Sequence, residues 1–324
     1  MSDAPPVHAE VVTEPARGPA RRRRRLGLRL AQGSAPYALL APAALVIGAV
    51  LGYPLYLLVS LSLQKYGLVE LIAHKGKWIG ADNYSKILHD SEFWRVLLRT
   101  ILFTAAAVSL TMVLGTLIAL LLAQLGSFMR LLLTTGLVLV WAMPVVVAVN
   151  LWIWMVDYEF GVANWTLTKL HIGDFVQHDW FDNPLTGFAV ITGVVVWGAI
   201  PFVAITVFAG LTQVPKELVE AASIDGAGAG RIFRDMTLPL LKPIFVILTS
   251  LSIIWDFQVF NQVWIMRFNR PTSDYFLISV YSFVESFRLS EYGYGSAIAV
   301  VMVVIMFAVT FVYIRQMVRI GEVR

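Results

Sequence analysis

Six long stretches of this 324-residue chain carry at most one charged side chain each. Five contain no Asp, Glu, Lys or Arg at all: residues 30–64, 100–129, 131–156, 183–215 and 292–314. The sixth, residues 243–266, contains only Asp256. About 20 apolar residues cross the hydrocarbon core of a bilayer as one helix, in which every backbone polar group is bonded within the segment. Each stretch suffices for one crossing, so the sequence predicts an all-α polytopic membrane protein with about six transmembrane helices. The predicted spans are roughly 36–62, 97–124, 131–156, 187–211, 244–266 and 294–315.

The basic residues are concentrated at the start of the chain. Seven arginines lie in the first 29 residues, and the remainder of the chain is close to neutral. We therefore predict a disordered basic cytoplasmic tail over residues 1–33, followed by a transmembrane domain over 34–324. Because segments rich in Lys and Arg stay in the cytoplasm, both termini are predicted to be cytoplasmic. A lipid- or nucleic-acid-binding arm and a twin-arginine export signal are alternative interpretations of the tail, but we expect membrane lipid and no nucleic acid as a partner.

The composition excludes or disfavours several kinds of chemistry. The chain has no cysteine, so it holds no disulfide, thiolate nucleophile or cysteine-ligated metal. Its five histidines show no metal-ligand spacing, and no His-Glu-x-x-His motif or acid pair indicates an enzyme. The Gly-x-x-x-x-Gly-Lys-Ser/Thr phosphate loop is also absent from the sequence. We expect no metal, no cofactor and no ATPase or other enzymatic activity in the chain itself.

The most informative polar segment lies between the fourth and fifth predicted spans, at residues 212–243. Pro215 suits the first position of a helix. We expect this helix to end at Asp225 and Gly226. A second short helix is expected to follow and to end near Pro239. The segment therefore predicts a cytoplasmic helix–turn–helix that could present an amphipathic knob to a groove in a partner.

This segment closely resembles the "EAA" coupling loop of permeases in binding-protein-dependent ABC importers. The family pattern is Glu-Ala-Ala, three residues, Gly and then Leu-Pro, and the chain carries these elements in order. The residues that the resemblance assigns to coupling with an ATPase are Glu220, Ala221, Ala222, Asp225, Gly226, Phe233, Leu238 and Pro239. Residues 80–104, 255–260 and 292–297 also resemble segments of the maltose, glycerol-3-phosphate and trehalose importer permeases. Residues 267–271 depart from the Gly-rich loop that this family often has.

The resemblance implies a division of labour between subunits. The chain would be a permease in the plasma membrane of a bacterium, forming a path for a mono- or oligosaccharide by alternating access. A pair of ATP-binding subunits would drive it, a second, homologous permease would complete a heterodimer, and an extracytoplasmic solute-binding protein would deliver the sugar. An ABC-importer permease for another solute, such as a polyamine or phosphate, is the alternative. A secondary transporter is less favoured, because no repeated halves are detected.

Polar side chains in the fifth predicted span are candidates for contacts with the solute. At about 100° per residue, one helix face would carry Trp255, Gln258, Asn261 and Gln262. Amides beside an indole suit sugar hydroxyls, although interhelical hydrogen bonds would use the same residue types.

Two further polar residues, Asp256 and Asn150, lie in predicted spans. Asp256 would lie on the opposite side of the fifth helix, where an intramembrane carboxylate is costly and indicates a functional role. It would line the pathway or contact the partner permease. Asn150 in the third span is a weaker candidate for the pathway, since a packing amide is the simpler interpretation.

Overall fold

The computed structural model describes residues 39–322, so the predicted tail over 1–33 lies outside the described residues. The chain divides into two units, Met1–Leu57 and Leu58–Arg324. In the first unit, residues 39–57 belong to helix α1 (Leu39–Ser62), which contains a π-helical turn at Gly48–Gly52.

The second unit contains, after the end of α1, a small two-stranded antiparallel sheet. Strands β1 (Gln64–Lys65) and β2 (Lys77–Trp78) pair Gln64 with Trp78, and helix α2 (Leu68–Ile72) lies between them in the chain. Helix α3 (Asp82–His89) follows. The remaining helices are α4 (Ser91–Gln124), α5 (Ser127–Trp141), α6 (Val145–Met155), α7 (Val162–Lys169), α8 (Pro184–Leu211), α9 (Lys216–Ile224), α10 (Ala229–Phe257), α11 (Asn261–Met266), α12 (Ile278–Phe283) and α13 (Tyr292–Glu322).

Five of the described helices are long and apolar enough to cross a membrane, namely α1, α4, α8, α10 and α13. Helices α5 and α6 together pass the same test as a bent pair, which brings the total to as many as six. The predicted all-α polytopic architecture is therefore confirmed.

The third predicted span differs from the prediction of one helix over 131–156. Helices α5 and α6 meet at an angle of 101° around the break before Val145. Pro144 occupies the N-cap of α6 in an extended conformation (ψ 134°). Because proline lacks an N–H and disfavours helical geometry in the residue before it, the chain bends here instead of continuing. The segment is therefore two helices joined by a bend at Pro144, in place of the one helix predicted over 131–156.

Helices α4 and α8 form the most extensive helix pair of the second unit. A Cβ added at Gly115 of α4 would lie 2.6 Å from Cγ1 of Val203 in α8. Only glycine therefore permits this approach, which is how small residues bring membrane helices together in the absence of a hydrophobic driving force.

A half-buried hydrogen-bond cluster centred on Asp90, here called the Asp90 cluster, joins three helices. Oδ1 of Asp90 accepts from the backbone N–H of Glu92 and so caps α4. Oδ2 accepts from the hydroxyl groups of Tyr281 and Tyr294, at 2.6 Å each. Burial raises the pKa of the Asp90 carboxyl, but these hydrogen bonds outweigh it and hold the pKa below its usual range. The cluster ties the start of α4 to α12 and α13.

Candidate functional site

Helix α9 of the predicted coupling segment ends in a glycine-dependent turn. The N–H of Ala227 donates to the carbonyl of Ala222 at 2.9 Å, and the N–H of Gly226 donates to that of Ser223 at 3.1 Å. These two bonds form a Schellman motif, with Gly226 in the left-handed region at φ +81°. The helix therefore ends where the sequence predicts, and the turn requires a residue without a Cβ.

Most side chains of α9 are exposed within the part of the chain that the structure describes. Ala222 is its one buried residue, at 7% exposure, whereas Glu220, Ala221 and Asp225 are exposed. Ile224 is 85% exposed although it is fully apolar. An isolated nine-residue helix is marginal in water, so this exposed surface fits a segment that another protein completes.

The second half of the segment corrects the predicted short helix that ends near Pro239. The chain instead continues as α10 through a π-helical turn at Phe233–Thr237 and runs on to Phe257. The N–H of Leu238 donates to the carbonyl of Phe233, and the wider turn accommodates the following proline, which has no N–H. The second half of the coupling segment and the fifth span are therefore one continuous helix, to which Phe233 and Leu238 both belong. We call α9, the turn at Gly226 and the start of α10 the coupling elbow.

At its other end α10 stops inside the predicted fifth span. Gln258 is the C-cap of α10, and a new helix, α11, begins at Asn261. The prediction that Trp255, Gln258, Asn261 and Gln262 share one helix face is therefore wrong, since the helix ends between them and Gln258 lines a different cavity from Trp255 and Gln262. A break here leaves backbone groups free of the helix, as occurs where the chain lines a cavity.

Three of the predicted solute residues line one cavity of about 260 Å³, here called the aromatic cavity. They are Trp255, Asp256 and Gln262. Asp256 is only 4% exposed, and its Oδ2 has no hydrogen-bond partner among the described residues. Since a buried unpaired polar group is costly, this carboxyl group is a candidate for binding a ligand.

The aromatic cavity also gathers residues that sequence reasoning missed. Trp141 at the end of α5 and Trp197 and Phe202 of α8 line it. Phe202 packs against both Trp141, at a centroid distance of 6.3 Å, and Trp255, at 5.3 Å. Trp141 reaches the cavity because α5 packs directly against α8, as Leu137 does against Ala204, and no local pattern in the sequence signals that contact.

The other predicted solute residues lie elsewhere. Gln258 donates to the carbonyl of Ile254 and lines a separate cavity of about 310 Å³ against α13. Asn261 is exposed. Asn150 is exposed as well and donates to the carbonyl of Val146 in its own helix at 2.8 Å. The structure thus does not bring these three amides to the aromatic cavity.

No group of three or more His, Asp or Glu side chains that could hold a metal ion occurs within residues 39–322. The two candidate functional features of the described residues are the aromatic cavity and the coupling segment. Helix α10 joins them, since its first turns belong to the elbow and its last turn carries Trp255 and Asp256.

Comparison with known proteins places this arrangement among transport proteins. The chain is 44% identical to the diacetylchitobiose uptake system permease protein DasB of Streptomyces coelicolor, over 87% of this chain and 86% of that protein. It is 34% identical to the sulfoquinovosyl glycerol transport system permease protein SmoG of Agrobacterium fabrum, over 86% and 88% of the two chains. It is 32% identical to the trehalose/maltose transport system permease protein MalF of Thermococcus litoralis, over 74% and 79%.

A solved structure shares the fold. It is a chain of a bacterial ABC transporter involved in the import of the acidic polysaccharide alginate, with a TM-score of 0.75 at 20% identity, covering 91% of this chain and 99% of that one. Residues 112–320 match the family described as "Binding-protein-dependent transport system inner membrane component". The resemblance seen in the coupling segment is thereby confirmed, and the chain belongs to this family of inner-membrane transport components.

Proposed function

We propose that this chain is the permease subunit of an ATP-driven importer and forms the translocation path for a carbohydrate. The observation that carries the proposal is the exposed helix α9, closed by the turn at Gly226 and joined through one helix to the aromatic cavity. The named relatives support the solute class, since all three are permeases for sugars or sugar derivatives.

The proposed partners follow from what the chain presents and what its relatives assemble with. A pair of ATP-binding subunits would receive α9, and a second, homologous permease would complete the path. A solute-binding protein would deliver the sugar; one solved structure of the alginate transporter is a complex with a periplasmic protein bound to an alginate pentasaccharide. The chain would lie in the plasma membrane of a bacterium with both termini in the cytoplasm.

The proposed coupling residues act through a lever. Glu220, Ala221 and Asp225 present the surface that an ATP-binding subunit contacts, and Gly226 permits the turn behind it. Closure of the ATP-binding subunits displaces α9, and the displacement passes to α10. A continuous helix transmits such a displacement because its backbone hydrogen bonds resist bending. The far end of this helix carries Trp255 and Asp256, so the geometry of the cavity changes with the nucleotide state.

The aromatic cavity supplies what a sugar ring requires. Indole and phenyl faces pack against the C–H faces of the ring, and the carboxyl group of Asp256 and the amide of Gln262 bond to its hydroxyls. A solute hydroxyl would give the Oδ2 of Asp256 a hydrogen-bond partner that no described residue supplies. Binding therefore offsets the cost of burying that oxygen, which favours solutes with a hydroxyl at this position.

Two glycines provide a matched test of the coupling role. Neither Gly226 nor Gly228 has any atom within 4 Å of an added Cβ, but only Gly226 has a positive φ. Gly226→Ala therefore strains the turn by roughly 1–2 kcal/mol, whereas Gly228→Ala does not. In proteoliposomes with the ATP-binding subunits, the second permease and the solute-binding protein, we expect ATP-dependent sugar uptake to fall roughly tenfold for Gly226→Ala alone. Equal uptake by the two variants would contradict the proposal.

The docking partner can be tested by cross-linking. Ala221 of α9 and Ala73 beside α2 are both exposed alanines. Ala221→Cys is expected to cross-link to an ATP-binding subunit in the assembled importer, whereas Ala73→Cys is not. A cysteine at Ala221 that never reaches a nucleotide-hydrolysing subunit would refute the coupling assignment. Uptake of a polyamine or phosphate but of no sugar would refute only the solute class.

A further inference from the structure

A long groove of about 880 Å³ lies between helices α10 and α13, apart from the aromatic cavity. We call it the α10–α13 groove. Leu238 and Pro239, at the foot of the coupling elbow, line one part of it, and Ile253 lines the part further along α10. The groove thus follows the fifth span over most of its apolar length.

The two walls of the groove run antiparallel. Gln258, at the end of α10, shares its cavity with Ala299 and Met302 near the start of α13. The start of α10 shares the groove with residues further along α13, including Tyr313 and Gln316. Lys242, Tyr313 and Gln316 therefore lie toward the same end, the end of the coupling elbow.

The groove is amphipathic along its length. Its middle is aliphatic and aromatic, with Phe245, Val246 and Val309 among its lining residues. Its elbow end offers an ammonium, a phenol and an amide, all of which donate hydrogen bonds. Lys242 is the one charged side chain that lines it, and no carboxylate does. Lys242 is exposed and forms no salt bridge within the described residues.

We propose that the α10–α13 groove binds an anionic phospholipid, with the phosphate on Lys242 and an acyl chain against Val246 and Val309. A lone cation with hydrogen-bond donors at one end of an apolar channel complements the charge and shape of such a lipid. The groove itself offers no carboxylate, so a transmembrane helix of another subunit would have to supply one or bury the ammonium of Lys242 unpaired, which is costly. Since Leu238 and Pro239 also line the groove, the bound lipid contacts the start of α10 and stabilises its position.

The proposal is tested with the full-length chain in nanodiscs of phosphatidylglycerol and phosphatidylcholine at three to seven. Native mass spectrometry after detergent extraction counts the retained phosphatidylglycerol. A surface lysine contributes about 1 kcal/mol to anionic-lipid binding, so Lys242→Gln is expected to lower retention about fivefold. Lys242→Arg keeps the cation and is expected to retain the lipid.

Two further variants separate the groove from general surface charge. Arg315 is exposed next to Gln316 but does not line the groove, so Arg315→Gln is expected to leave retention unchanged. Val309→Trp fills the channel and is expected to reduce retention although no charge is altered. Melting temperatures of all variants establish that they are folded.

Three results would overturn the proposal. The first is equal retention of phosphatidylglycerol and phosphatidylcholine, and the second is an equal loss for Arg315→Gln and Lys242→Gln. The third is a photoreactive residue at Val309 that labels a protein subunit of the assembled importer and no lipid. None of these results depends on which solute the chain transports, so the proposal stands or falls independently of the carbohydrate assignment.

Discussion

The coupling segment and the Asp90 cluster are two polar regions of one helical unit, and they are built in opposite ways. In α9 a single residue, Ala222, is buried, and backbone hydrogen bonds alone form the turn that follows it. In the Asp90 cluster, side chains from three helices converge on one carboxylate, and both tyrosines are almost fully buried. The first region leaves most of its side chains exposed, whereas the second uses its polar side chains to bond one helix to another.

This difference indicates that α9 can move, whereas the Asp90 cluster holds helices together. Few buried contacts let α9 shift at small cost, which a lever requires. The Asp90 cluster is reinforced nearby by a second long-range bond, in which the backbone N–H of Ile278 donates to the hydroxyl of Thr100 at 2.9 Å. Substitutions in the cluster should therefore affect stability first, and substitutions in the coupling segment should affect transport first.

The largest expected effect on stability is that of Asp90→Ala. It removes the cap of α4 and leaves two buried hydroxyls without their acceptor, for a total of about 4 kcal/mol. The free energy of unfolding in detergent, measured by denaturant titration, checks this value. Asp90→Asn keeps Oδ1 as the cap and replaces Oδ2 with an amide N–H that donates to a tyrosine hydroxyl, so it is expected to lose clearly less. A loss below about 1 kcal/mol for the alanine variant would show that the cluster does not hold the unit together.

The second prediction concerns Asp256, which resembles neither region because it is buried but unpaired. Asp256→Leu is expected to lower sugar uptake by roughly 10- to 100-fold, as a lost ligand contact of about 1.4–2.7 kcal/mol would. Its unfolding free energy is expected to stay equal or rise, because an unsatisfied buried group is removed. Asp82→Leu, at an exposed position of α3 outside the coupling segment and the cavity, is the control for the loss of charge. A strongly destabilised Asp256 variant would point to a structural role.

The third prediction uses pH to sharpen the comparison. Because the pKa of Asp90 is lower in the folded protein than its unfolded value of 3.8, its contribution to stability is present above that value. The contribution is lost as pH falls through the folded pKa, since the protonated form no longer accepts both tyrosine bonds. The melting temperature of the wild type should therefore fall more steeply in acid than that of Asp90→Asn. Parallel acid profiles for the two proteins would contradict this account.

The smallest expected effect on stability is that of Ile224→Ser in the coupling segment. Ile224 is 85% exposed, so the unfolding free energy should change by no more than about 0.5 kcal/mol. ATP-dependent uptake should nevertheless fall, because the apolar surface offered to the ATP-binding subunit is lost. Ile172→Ser, at another exposed isoleucine, is the matched control and should retain uptake. Unchanged uptake by Ile224→Ser would show that this side chain takes no part in docking.

Sequence reasoning was most accurate where the decisive interactions are local. Charge-free runs predicted the spans because a bilayer demands about 20 apolar residues whatever the neighbours are. Asp225-Gly226 predicted the end of α9 because a left-handed turn needs glycine. The continuation past Pro239 was missed, since a π-helical turn that accommodates the proline leaves no comparable signal in the sequence.

The amino-acid sequence by itself determined the membrane-spanning class, the position of the elbow and the family, because each of these depends on apolar length or on a short run of residues. Only the tertiary structure decided which polar residues meet. Asp90 and Tyr294 are 204 positions apart, and Trp141 reaches Phe202 because α5 packs against α8. Helical periodicity likewise grouped Gln258 with Trp255, but the end of α10 at Phe257 separates them. Contacts between distant segments depend on how the helices pack together, which no local pattern encodes.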